Sequence, residues 1–162
     1  MSDLRMIPSV SDNAHRRSIG RAPLAHGMRL KAMRMPDNPL IAIVDDDEAV
    51  RTATASLLRS FGYRTHVFAS ATEFLASGMD RQAACLITDV RMPGMDGMEL
   101  QQVLIAQNCT IPILFMSAYS SDTVRQRVLA AGAVCLLEKP FDSEVIVRHL
   151  RDALKPPAAP SD

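Results

Sequence analysis

Five strand-length apolar runs punctuate the chain: LIAIV at 40–44, RTHVF at 64–68, ACLIT at 84–88, PILFM at 112–116 and AVCLL at 133–137. A stretch of helical periodicity follows each one. Three of the runs are continuously apolar, the pattern of strands buried on both faces, whereas a strand with one wet face alternates. Val50, Leu57, Leu58 and Phe61 mark one helical face ahead of Gly62. Ser70 and Glu73 form a capping-box pattern for a short helix that Gly78 closes, since glycine adopts the left-handed conformation that ends helices. Leu100, Val103 and Leu104 mark a third helix, and Val124, Val128 and Ala131 lead into Gly132 in a fourth. Ile146, Leu150, Ala153 and Leu154 face one way in a fifth, behind Asp142 or Ser143 as cap. Strands and helices that alternate in this way predict a parallel sheet with helices on both faces, joined by right-handed crossovers.

A chain of 162 residues, 48% of them hydrophobic, suffices for one such domain and a buried core. Basic and acidic residues balance at 18 each, so no global field steers the molecule toward nucleic acid or an acidic membrane. No apolar stretch is long enough to cross a bilayer, and the N-terminus lacks a continuous apolar signal region. Cys85, Cys109 and Cys135 show no paired ligand spacing and read as reduced thiols, consistent with a cytoplasmic protein. Residues 1–38, where arginine and lysine outnumber aspartate, read as a disordered basic leader. Met28, Met33 and Met35 offer alternative starts just ahead of the first strand. Residues 39–155 form the domain, and 156–162 a proline-rich tail.

Ligands of an open parallel sheet gather beyond the carboxyl ends of its strands. The first run is followed by Asp45, Asp46 and Asp47, the third by Asp89, the fourth by Ser117 and the fifth by Lys139 and Pro140. Each has an ordinary explanation alone: Asp46 or Asp47 as a helix cap, Asp89 as a turn residue before MPGMDG, Ser117 as another cap, Lys139 as a surface charge. On one rim they mean more. Clustered carboxylates repel unless a cation neutralises them, and a hard divalent ion such as Mg2+ suits an all-oxygen donor set. His15, His26, His66 and His149 show no ligand spacing and receive no role.

The order VDDDE, ITDVRMPGMDG, MSA and EKPF across this βα pattern resembles the receiver domain of bacterial two-component response regulators, with wording closest to the FixJ-type regulators. The resemblance covers Leu40 to about Lys155. It implies a flavodoxin-like, doubly wound α/β fold with strand order 2-1-3-4-5 and five helices. It implies that Asp89 accepts a phosphoryl group from a sensor histidine kinase or a phosphotransfer protein, that Asp46 ligates Mg2+ directly and Asp45 through water, and that Asp89 and the Arg91 carbonyl complete the metal ligands. Lys139 is then expected to bind the phosphoryl oxygens, Ser117 to swing its hydroxyl toward them, and the Lys139–Pro140 bond to be cis. Output would pass to a protein partner, with a homodimer on phosphorylation as one form.

Two departures stand out. Receivers commonly carry an aromatic three residues before the lysine, and here that residue is Leu136, which has no ring to swing. FixJ-type regulators continue into a helix-turn-helix, whereas Lys155 is followed by PPAAPSD, so no DNA-binding activity is assigned. Tyr119 and the Arg91 side chain are expected to shelter the acyl phosphate and lengthen its life. The competing functions are a phosphate sink, a receiver that folds but is never phosphorylated, an aspartate-nucleophile phosphatase and a flavodoxin-like FMN carrier. Arg91 stands where the phosphatase needs a second acid, and DDDE would repel an FMN phosphate.

Overall fold

The structure, a computed structural model, describes residues 38–156; the leader, its alternative starts and most of the proline-rich tail lie outside them. Strands β1 (Leu40–Val44), β2 (Arg64–Phe68), β3 (Cys85–Asp89), β4 (Ile113–Ser117) and β5 (Cys135–Glu138) form one parallel sheet in the order β2-β1-β3-β4-β5. Helices α1 (Glu48–Ser60), α2 (Ala71–Ser77), α3 (Gly97–Ala106), α4 (Asp122–Ala130) and α5 (Ser143–Ala153) alternate with them. A 3-10 turn at Met79–Arg81 precedes β3. The first two strands coincide with their apolar runs. In β3, β4 and β5 the ladder runs one residue further, taking in Asp89, Ser117 and Glu138, because pairing follows backbone hydrogen bonds rather than side-chain polarity.

Two apolar layers hold the helices to the sheet. Ala55 and Leu58 of α1 and Ile146, Val147 and Leu150 of α5 pack with Ile41, Ile43, Ile87 and Leu114 on one face. Phe74 of α2, Leu100 and Leu104 of α3 and Val128 of α4 pack with Val44, Leu86, Phe115 and Leu136 on the other. Alternate residues of β1, β3 and β4 thus serve opposite layers, the reason those strands are apolar throughout. Truncating Phe74 or Phe115, both fully buried, would cost about 3–5 kcal/mol.

The helix ends follow their local chemistry, with two differences. Asp47 caps α1, accepting from Ala49 and Val50 amides at 2.9 and 3.3 Å, while Ser70, Asp96 and Ser121 cap α2, α3 and α4. Asp142 is the cap residue of α5 but makes no side-chain cap bond there. Phe61, expected on the buried face of α1, is instead 44% exposed. It falls at the helix C-cap, where the chain turns away through Gly62 at φ +94°, and Thr54 and Ala55 fill the inner face.

Candidate functional site

The sheet's carboxyl edge is built by register. Asp89 pairs with Met116 and Ser117 with Glu138 across β3, β4 and β5. The main chain stays tied beyond the strand ends: Asp45 N–H donates to Phe68 O at 3.2 Å, Val90 N–H to Met116 O at 2.9 Å and Lys139 N–H to Ser117 O at 2.8 Å. Groups remote in sequence are therefore delivered to one rim. Carboxylate oxygens of Asp45, Asp46 and Asp89 lie within 4.8 Å of one another. Lys139 Nζ donates to Asp45 Oδ2 at 3.1 Å and to Asp89 Oδ2 at 2.8 Å, with its side chain only 19% exposed.

The second carboxylate oxygens of Asp45 and Asp89 are aimed by the backbone. Asp45 Oδ1 accepts from the Asp47 amide at 2.9 Å and Asp89 Oδ1 from the Arg91 amide at 3.1 Å. The latter bond holds the Arg91 main chain beside the cluster, while its side chain is exposed. Arg51 Nη1 donates to the Asp45 carbonyl at 2.7 Å, fixing the strand end to α1. Gly97, the first residue of α3, sits where a Cβ would lie 2.1 Å from the Asp89 carbonyl oxygen, so the helix can approach β3 this closely only without a side chain.

Burial pushes the Asp45 carboxyl above its ordinary range, against the opposing pull of the Asp47 amide and of Lys139. Burial alone would lower the Lys139 ammonium, but its hydrogen bonds to Asp89 and Asp45 carry it higher than usual. Three carboxylates and one ammonium leave a two-charge excess when all are ionised. That donor set is wholly hard oxygen, and its charge deficit matches one divalent hard cation.

Ser117 is buried at the end of β4. Its hydroxyl folds back on its own turn, donating to Tyr119 O at 2.6 Å and accepting from Tyr119 N–H at 3.2 Å. Tyr119, expected to shelter the pocket, is 81% exposed. Leu136 is buried with Phe115 and Val128, so the place that an aromatic commonly holds belongs here to the core.

Gln101 escaped the sequence-based expectations. It lies 2% exposed on α3, and its amide Nε2 donates to the Val128 carbonyl of α4 at 3.1 Å. A glutamine among helical polar residues carries no distinguishing signal in one dimension. Only the packing of α4 beside α3 shows that it is inside.

The family model of the response regulator receiver domain matches residues 41–151. The response regulator protein TmoT of Ectopseudomonas mendocina is 42% identical over 116 residues, which are 72% of this chain and 53% of that protein. The transcriptional regulatory protein FixJ of Azorhizobium caulinodans is 36% identical over 120 residues, 74% of this chain and 57% of that protein. The chain thus spans little more than half the length of these curated relatives. Among solved structures, FixJ-N matches with a TM-score of 0.68 at 34% identity, over 75% of this chain and 98% of that one. The chemotaxis protein CheY4 of Vibrio cholerae matches with a TM-score of 0.67 at 29% identity, over 72% and 99%.

Proposed function

The chain belongs to the response regulator receiver family, and on that premise we propose that Asp89 is its phosphoacceptor, loaded by a phosphohistidine on a sensor histidine kinase or phosphotransfer protein. The observation that carries this role is the Lys139 ammonium bonded at once to Asp45 and Asp89. A lysine bridging two acids on a strand-end rim is poised to exchange one carboxylate partner for phosphoryl oxygens.

In the transfer, an Asp89 carboxylate oxygen attacks phosphorus in line as the phosphorus–nitrogen bond breaks. The bond's electron pair stays with the imidazole, which leaves neutral when its other nitrogen carries a proton. Charge spreads over three equatorial oxygens in the loose transition state, so positioning and positive charge carry the catalysis. Lys139 supplies one such charge, held in place by Asp45. Asp45, Asp46, Asp89 and the Arg91 carbonyl are the groups that would hold Mg2+, and the ion when bound neutralises phosphoryl oxygens and the crowded acids. The chain turns over no metabolite; it speeds only its own modification and slow hydrolysis.

The product adds about 1.5 to 2 negative charges at the rim. Ser117, once released from Tyr119, donates to the new oxygens, as does Lys139. Moving a two-state equilibrium from mostly off to mostly on needs about 5 kcal/mol of differential interaction. One neutral hydrogen bond contributes about 1 kcal/mol, so charge-assisted bonds from both groups are required. We assign residues 39–155 as the receiver, acting in the cytoplasm and signalling to a downstream protein or through a homodimer. Among the described residues no helix is long and apolar enough to cross a membrane.

Incubation with acetyl phosphate and Mg2+, followed by phosphate-affinity electrophoresis, tests this directly. Wild type should shift and Asp89→Ala should not. No shift in either protein would favour a receiver that is never phosphorylated, and steady phosphate release from many small esters would favour a phosphatase.

A further inference from the structure

Beyond the pocket, the turn from β4 to α4 is tied down at a second point, on the outer edge of the sheet. Ser120 Oγ donates to Glu138 Oε1, and the same carboxylate oxygen meets Arg125 Nη2 at 3.5 Å. Arg125 Nη1 reaches past it to donate to the Leu136 carbonyl at 2.9 Å. The guanidinium of α4 thus occupies a carbonyl on edge strand β5 and holds the carboxylate that holds Ser120. At its other end the turn is closed by the Ser117 hydroxyl on both main-chain polar groups of Tyr119. The two fastenings meet at adjacent residues, Tyr119 and Ser120. A Ser117 hydroxyl that turns to a phosphoryl oxygen must leave Tyr119, and the freed turn then pulls against Ser120 and its carboxylate.

We propose that Ser120, Glu138 and Arg125 form a latch that holds Ser117 away from the pocket, making the three of them positioning residues for the phosphorylation of Asp89. The proposal rests on the receiver reading and names the regulation of that same site. It also supplies what Leu136 cannot. With no ring on β5 to follow Ser117 inward, the outer face learns of phosphorylation through the broken Ser120–Glu138 bond and the release of Arg125. Gln101 anchors the other end of α4 at Val128, so opening the latch frees the helix's first turn while its last turn stays fixed.

Coupling is reciprocal: whatever phosphorylation must break, breaking beforehand favours phosphorylation by the same factor. Arg125 and Glu138 are partly exposed, at 39% and 56%, so the factor is modest, about three- to tenfold. The probe is beryllofluoride with Mg2+, a non-covalent phosphoryl mimic, titrated by thermal shift and by NMR of the Ser117–Ser121 amides. Phosphorylation by acetyl phosphate is measured alongside, with rate resolved from half-saturation.

Glu138→Gln, Arg125→Gln and Ser120→Ala should each tighten beryllofluoride binding by that factor and leave the acetyl phosphate half-saturation unchanged. Ser120→Thr, which keeps the hydroxyl, should behave as wild type, and Arg125→Gln combined with Glu138→Gln should add little to either alone. Unchanged or weakened binding in the single variants, at wild-type melting temperature, overturns the latch, as does full additivity in the pair. Wild type that binds the mimic at Asp89 while the variants do not differ sinks the latch alone. Wild type that does not bind it, or binding that survives Asp89→Ala, sinks the receiver reading beneath it.

Discussion

Gly97→Ala is the substitution whose cost the structure specifies most closely. A Cβ at this position would lie 2.1 Å from the Asp89 carbonyl oxygen, 3.1 Å from its carbon and 3.1 Å from Phe115 Cε1. The two elements must separate by about 1 Å before that contact becomes tolerable. Asp89 cannot yield, because β3 is the middle strand, paired to β1 and β4. The helix must therefore move, lifting Leu100 and Leu104 from full burial and straining the Gly97 amide's 2.9 Å bond to Val90 O. Overpacking of this kind costs about 1–3 kcal/mol, and with backbone as the obstacle the upper end applies. Alanine recovers about 1 kcal/mol through helix propensity and a less flexible unfolded chain. The net expectation is a loss of about 2 kcal/mol, or about 8 °C in Tm. Urea unfolding should show a lower midpoint with unchanged slope. Gly94→Ala is the control: its φ is +77° with no atom within 4 Å of the added carbon, so it should cost only the left-handed strain of about 1 kcal/mol. The carbonyl displaced belongs to Asp89 itself, so phosphorylation should also slow, by up to about a hundredfold. A Gly97→Ala protein as stable as wild type, or less perturbed than Gly94→Ala, would refute the steric reasoning.

Four further outcomes are expected. Mg2+ at ten times its dissociation constant should stabilise wild type by about 1.4 kcal/mol and leave Asp46→Ala unmoved; equal thermal shifts in both would remove Asp46 from the metal site. Lys139→Met strands the buried Asp45, whose folded value burial has raised. Stability tied to a raised group is whole below the unfolded value and lost as pH rises through the folded one. In EDTA the variant's deficit should therefore be small near about pH 4 and grow to about 3 kcal/mol by about pH 8, and a flat deficit in urea melts would count against the pairing. Burial pushes the Cys135 thiol from 9.0 up to about 11. The stability it contributes is intact below 9.0 and falls toward about 11, by at most about 3 kcal/mol; Cys135→Ala should flatten that alkaline decline. Gln101→Met should lose about 1 kcal/mol from the missing bond to Val128, and an unchanged midpoint would show the amide to be idle.

What could be read in one dimension was whatever repeats locally. LIAIV and RTHVF match β1 and β2 to the residue, because a strand's polarity pattern and its turn residues are neighbours in sequence. Gly62, Gly78 and Gly132 end helices as expected, each at positive φ. The rim acids were legible for the same reason: each follows a strand directly. The strand order came from family resemblance, since alternation alone does not say which strand lies beside which. Gln101, the outward Phe61 and the Arg125–Glu138–Ser120 cluster were not legible. Phe61 is turned outward where the chain leaves α1; the environments of the others are set by how α4 meets α3 and β5, and partners 13, 18 and 27 residues apart follow no helical or strand period. Polar residues are common on helices, and only tertiary packing decides which of them go inside.

Lys139 stands 94 residues from one of its carboxylate partners and 50 from the other. A chain leaving the ribosome at about 5–20 residues per second exposes Asp45 roughly 5–20 s before the ammonium that will neutralise it. Until the last strand docks, the nascent acids repel one another with no lysine to answer them, and a cleaved molecule that loses its final strand returns to that condition. Only a molecule in which β5 has docked brings that ammonium to the rim.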